Sequence, residues 1–124
     1  MTLEDDLASA AATGNTAGVE DLLRKGADVN GVNKYGRTPL QVMMMGSTAV
    51  ARLLLTRGSR PNVADRSTGT TPLHDAAREG FLDTVKILLE FSANPVAVDN
   101  SNCQPVDLAR ERGYGDVVAF LESL

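Results

Sequence analysis

The sequence predicts an all-α protein, a solenoid of four stacked helix–turn–helix units joined by β-turn connectors. Two spacings and one compositional fact predict it. Pro39, Pro72 and Pro105 stand 33 residues apart, and each is followed by an apolar residue, Leu40, Leu73 or Val106. Gly14, Gly46, Gly80 and Gly113 are each followed eight residues later by a leucine, at Leu22, Leu54, Leu88 and Leu121. Aromatic residues make up only 4% of the 124 residues and Trp is absent, which suits many thin layers of Leu, Val and Ala better than one compact core. A fixed period of this size marks a repeat array, in which each unit buries its apolar face against the next.

The third unit, Thr71 to Leu89, is the most regular. Thr71 is a hydroxyl N-cap and Pro72 takes the first helical position, where a missing N–H costs nothing. Leu73, Ala76 and Ala77 then make the apolar stripe of a short helix, and Gly80 stops it. Val85, Leu88 and Leu89 repeat the stripe on a second helix running back beside the first. That leaves Asp75, Arg78 and Glu79 together on the opposite face, expected to meet solvent.

The other units vary this pattern. Unit one lacks the Thr-Pro start and is expected to open on Asp5 and Asp6, which can cap the helix and whose charges favour its positive end. In unit two, Pro39 to Gly46 is seven residues, against eight from Pro72 to Gly80 and from Pro105 to Gly113. Its first helix is therefore expected to be one residue short. The residue returns in the next connector, where Asn62 to Pro72 spans ten against nine from Asn30 to Pro39. Met43, Met44 and Met45 fall on this weakest helix, and helical geometry sets neighbours about 100° apart. At least one of them must therefore point outward or into a distorted turn, where a flexible thioether suits an adaptable contact. In unit four, Asn102 stands where Gly36 and Gly69 tip the earlier turns, and Asn tolerates positive φ better than most residues.

The period of 33, with Thr71-Pro72-Leu73-His74 and Gly26-Ala27-Asp28-Val29-Asn30, resembles the ankyrin repeat. One ankyrin domain is expected over 1–124, with repeats at about 4–32, 33–64, 65–97 and 98–124.

Charge and motif content narrow the function. A net charge of −4 argues against nucleic acid or an anionic membrane as partner and suits a basic patch on another protein. No apolar run approaches membrane-spanning length, and the acidic start MTLEDD is unlike a secretory leader. A single cysteine, Cys103, permits no internal disulfide and fits a reducing compartment, so cytoplasm and nucleus are expected. His74, the only histidine, is expected to hold repeats in register, together with the helix starts Thr71, Pro72, Pro39 and Pro105. Cys103 is expected to lie far from it, which leaves no nucleophile pair. One His and one Cys are too few for zinc, and no phosphate loop or dinucleotide fingerprint is present. No catalytic residue, cofactor or metal is expected. Phe81 differs from these, because an aromatic in the turn between helices, beside acidic side chains, suits a binding anchor. Asp65 adds a carboxylate at a connector tip.

A closer resemblance rests on Tyr35-Gly36-Arg37, on Gln41-Val42-Met43-Met44-Met45-Gly46-Ser47 and on the run from His74 to Thr84. Pro105-Val106-Asp107-Leu108-Ala109 and Gly115-Asp116-Val117 continue it. These segments are similar to the ankyrin-repeat inhibitors of the cyclin-D-dependent kinases, in particular the four-repeat members with a distorted second repeat. The resemblance implies an inhibitor that grips both kinase lobes away from cyclin, distorts the ATP site, opposes cyclin binding and arrests the cell cycle in G1. It implies contacts on the middle repeats: Asp75 with a kinase arginine, then Asp83, Glu79 and Arg78 on the same face. Phe81, Met43, Met44 and Met45 would supply apolar contact, with Asp65 and Tyr35 at or near the edge. The free protein is expected to be a monomer. Thr38, Thr71 and Ser101-Asn102 depart from the pattern of mammalian relatives, as does Ala17, where an acidic contact is common. Two other readings stay open on the residues alone, a generic ankyrin adaptor for an unrelated protein and an enzyme using His74.

Overall fold

Side-chain chemistry at the helix starts sets the architecture. The computed structural model describes residues 2–124. Among the described residues there is no strand; eight helices alternate with turns. They are α1 (Leu3–Ala12), α2 (Thr16–Arg24), α3 (Pro39–Val42), α4 (Thr48–Thr56), α5 (Pro72–Glu79), α6 (Leu82–Glu90), α7 (Pro105–Arg112) and α8 (Gly115–Glu122). The chain divides into two compact units, one ending at Arg60 with α1 to α4, the other Pro61–Leu124 with α5 to α8. Within the first unit α1 packs on α3 and α2 on α4; within the second, α5 packs on α7 and α6 on α8. Each first helix also pairs with its own second helix, so each unit is two hairpins side by side.

Leu7, Val19, Leu40, Val50 and Leu54 fill the core of the first unit. Leu73, Val85, Leu88 and Val117 fill that of the second, where the fully buried Ala76, Ala77 and Ala109 let α5 and α7 approach closely. Thr71 caps α5 as expected and Thr38 caps α3 in the same way, each inside a reciprocal box. At α3 the Thr38 N–H donates to Gln41 Oε1 at 2.7 Å while the Gln41 N–H donates to Thr38 Oγ1 at 3.3 Å. The first repeat corrects the sequence reading. Thr2, not Asp5 or Asp6, is the N-cap of α1, and its Oγ1 accepts the Asp5 N–H at 3.0 Å. Asp5 completes the box from the third helical position, and its carboxylate also accepts the Lys34 N–H at 2.9 Å. The Lys34 amide, then the Thr2 hydroxyl, hold the Asp5 carboxyl below the ordinary carboxylate range.

The second repeat departs further than its spacing suggests. Helix α3 is a single turn of four residues, and Met43 at φ −57°, ψ 155° leaves it in an extended conformation. Gly80 and Gly113, at φ 79° and 77°, close α5 and α7 in the left-handed region, a finish that α3 lacks. Instead the Met44 N–H donates at 2.9 Å to the Ala11 carbonyl, which also accepts the Gly14 N–H at 3.2 Å at the end of α1. The displaced residue is recovered at a hairpin tip. There the Asp65 N–H reaches Thr70 O, five residues on, whereas Asn33 reaches Arg37 and Asp99 reaches Cys103, four on. Asn102 takes φ 63° at its tip, matching Gly36 at 78° and Gly69 at 74° as the sequence suggests.

Two asparagines, not anticipated from sequence, tie successive connectors. Asn30 Nδ2 donates to Gly58 O at 3.0 Å and its Oδ1 accepts the Arg60 N–H at 2.8 Å. Asn62 repeats this with Ser92 O at 3.1 Å and the Asn94 N–H at 2.7 Å.

Beside these ties the repeats carry two local faults. Ser59 fills the buried place that Ala27 and Ala93 occupy elsewhere, and its hydroxyl has no hydrogen-bond partner. Ser92 sits at φ 71° where the earlier repeats use Gly26 and Gly58. An orphaned buried hydroxyl and a left-handed non-glycine residue each cost about 1 kcal/mol. Ser59→Ala and Ser92→Gly should therefore each raise stability by roughly that amount. Urea unfolding checks this: a midpoint that rises at unchanged slope is expected, and one that falls contradicts the assignment.

Candidate functional site

Helix α5 and the turn after it carry most of the polar candidates. Asp75 lies in the first turn of α5, and Arg78, one turn on, donates from Nη2 to its Oδ1 at 2.9 Å. Their side chains are 21% and 34% exposed, so the pair is half-buried rather than fully displayed as its spacing suggests. Burial pushes the Asp75 carboxyl above its ordinary value; Arg78 offsets this only in part, and Glu79 adds to the rise. A carboxylate held where the free protein disfavours its charge is characteristic of functional positions.

Glu79 ends α5 and is exposed, and Asp83 is exposed in the first turn of α6, where the helix dipole favours it. Among the described residues neither forms an ion pair. Between them Phe81 is 40% exposed. It occupies the N-cap of α6 and offers the first amides no acceptor. Helices α2 and α4 are capped properly, by Asn15 on the Gly18 N–H at 3.0 Å and by Ser47 on the Val50 N–H at 3.2 Å. Phe81 therefore forgoes a cap worth about 1 kcal/mol to display a ring.

The remaining candidates separate by role. In the first unit Tyr35 is 67% exposed, with the Lys34 Nζ 5.2 Å above its ring. Met43 and Met45 are buried, and only Met44, 48% exposed, reaches the surface, resting against Gly14. The three alternate because the chain there has left the helix. In the second unit the Asp65 carboxylate accepts the Ser67 N–H at 2.7 Å and so serves its own turn. His74 is fully buried. Its Nδ1 accepts the Thr71 N–H at 3.1 Å, and its Nε2 contacts the Cys103 carbonyl at 2.8 Å.

Cys103 is thus not remote from His74, as the sequence suggests. The imidazole meets its carbonyl rather than its sulfur, and desolvation with Asp99, Asp107 and Glu111 pushes the thiol up. Among the described residues no cluster of His, Cys, Asp and Glu could hold a metal, and no helix is long and apolar enough to cross a membrane.

Because the Asp75 pKa is raised on folding, ionising it costs the folded state more than the unfolded one. Its penalty is absent below the ordinary aspartate value of 3.8 and develops as pH rises through the folded value. Asp75→Asn, a neutral isostere, should therefore match the wild type in stability near about pH 3 and exceed it near about pH 7. Paired urea titrations across that range measure the gap. A gap that is constant or closes with rising pH contradicts the reading.

Comparison with known proteins places this geometry. The family model described as "Ankyrin repeats (3 copies)" matches residues 7–99 and 44–123. The human protein named "Cyclin-dependent kinase 4 inhibitor B" is 53% identical over 120 residues, covering 97% of this chain and 87% of that one. Its rat counterpart of the same name is 52% identical over 117 residues, 94% and 90% of the two chains. The human "Cyclin-dependent kinase inhibitor 2A" is 52% identical over 119 residues, 96% and 76% of the two chains. Likeness of this extent, over the same repeats that carry the half-buried carboxylate and the uncapped aromatic, makes the chain a member of the ankyrin-repeat cyclin-dependent kinase inhibitor family.

Proposed function

We propose that the chain inhibits cyclin-D-dependent kinases by binding them, with Asp75 as the central contact and Glu79, Phe81 and Asp83 around it. It acts as a binding protein, not as an enzyme. The observation that carries this reading is the Asp75 carboxylate, part-desolvated and held by Arg78, on the same hairpin as an exposed aromatic. Much of the desolvation that usually opposes a buried ion pair is already borne by the free protein. A kinase arginine approaching Asp75 then adds a charge-assisted bond at reduced penalty, and Arg78 screens the site until it arrives. Met44 and Tyr35 are the exposed candidates of the first unit, while Met43 and Met45 support the turn from beneath.

Inhibition requires the chain to prefer one kinase conformation, because a ligand shifts an equilibrium only by its differential affinity. In this reading the preferred form has its lobes twisted and its ATP site distorted, and it no longer accepts cyclin; cells then arrest in G1. The inhibitor is a monomer when free and acts in cytoplasm and nucleus.

Titration of a monomeric cyclin-D-dependent kinase with wild type and Asp75→Ala, both checked by circular dichroism, tests this. Binding by the wild type and a loss of at least about tenfold in the folded variant are expected. A folded wild type that does not bind would refute the inhibitor reading and leave an ankyrin adaptor for another protein.

A further inference from the structure

The four helix–helix turns carry equivalent residues at Asn15, Ser47, Phe81 and Tyr114, each the N-cap of a second helix. The first two accept an amide hydrogen bond from their helix; Phe81 and Tyr114 make no side-chain cap bond at all. Tyr114 thus repeats, one repeat later, the exchange of a cap for an aromatic ring made at Phe81. The two are neighbours in space as well as equivalents. A Cβ built on Gly80, the residue before Phe81, would meet the Tyr114 ring at 2.6 Å, so the ring lies directly on the Gly80 backbone. The absence of a side chain at Gly80 is what admits it. Tyr114 nevertheless remains 36% exposed, and its hydroxyl makes no hydrogen bond among the described residues. Exposed Glu79, Asp83 and Asp116 adjoin Phe81 and Tyr114 in sequence, and exposed Arg112 adjoins Tyr114 as well, so the aromatic step carries a predominantly acidic border.

We infer that Tyr114 is a further partner-contacting residue, extending the Phe81 surface into the fourth repeat, and that it receives a cationic side chain of the kinase. The acidic border draws an arginine or lysine, the ring face offers a cation–π contact, and the free hydroxyl a hydrogen-bond acceptor. Capping of the turn does not need a tyrosine there, because Asn15 and Ser47 show that a polar residue serves the same position. The inference rests on the kinase-inhibitor reading and adds one residue to it.

Tyr114→Asn and Tyr114→Ser, which place at this turn the residues found at two others, separate binding from folding. Both should melt at or above the wild-type temperature while binding the monomeric kinase at least about tenfold more weakly. Phe81→Asn and Asp75→Ala run alongside. If these two weaken binding while both Tyr114 variants bind as the wild type does, the inference about Tyr114 is wrong and the kinase reading stands. If the folded wild type does not bind the kinase, the reading fails and the inference with it. Should both Tyr114 variants lose affinity only together with their helical signal, the ring is structural and the inference is overturned.

Discussion

The buried imidazole of His74 is the interaction on which the second unit depends. The Thr71 N–H can only donate, so Nδ1 of His74 must accept, and the ring proton therefore sits on Nε2. From there it donates to the Cys103 carbonyl, 29 residues away in the chain. One side chain thus closes the start of α5 and fastens that helix to the connector of the following repeat. Asp75 is the next residue along, so its position on α5 is fixed by the same bonds. In a repeat protein, where stability is a sum of neighbour contacts, such a link matters more than its own hydrogen-bond energy suggests. It aligns the face that follows it.

Against this well-satisfied scaffold, the departures from good local chemistry are few and of two kinds. Ser59 and Ser92 are faults with a better alternative elsewhere in the same chain, at Ala27, Ala93, Gly26 and Gly58, and neither presents a charge or a ring. Asp75, Phe81 and Tyr114 are also locally unfavourable, but each ends partly exposed and carries a charge or a ring. Local rules broken with a gain in display are the pattern expected of a binding surface.

Much of this was legible in the residues. Equal proline spacing located three first helices, and the Asn102 turn was readable because so few residue types accept positive φ. The length of α3 was not readable. Residue spacing shows that a helix is short, but its end was decided by a bond between Met44 and Ala11, distant in sequence. For the same reason a helical 100° step misplaces the methionines, which lie beyond α3, Met43 in an extended conformation and Met44 and Met45 in the turn closed by the Ser47 N–H on the Met44 carbonyl. The burial of Asp75 also escaped, since an i, i+3, i+4 pattern marks a face without saying how far neighbouring elements cover it. The proximity of His74 to Cys103 and the asparagine ties are products of the repeat packing itself. Tyr114 did leave a signal, its 33-residue offset from Phe81, visible once the four turns are aligned on their caps.

Hydrogen–deuterium exchange of the chain alone and bound to a monomeric cyclin-D-dependent kinase tests the central claim most directly. The account predicts new protection over residues 75–83, from α5 through the turn into α6, and at the amides around Tyr114. A stable complex that leaves those amides exchanging as in the free protein would contradict it.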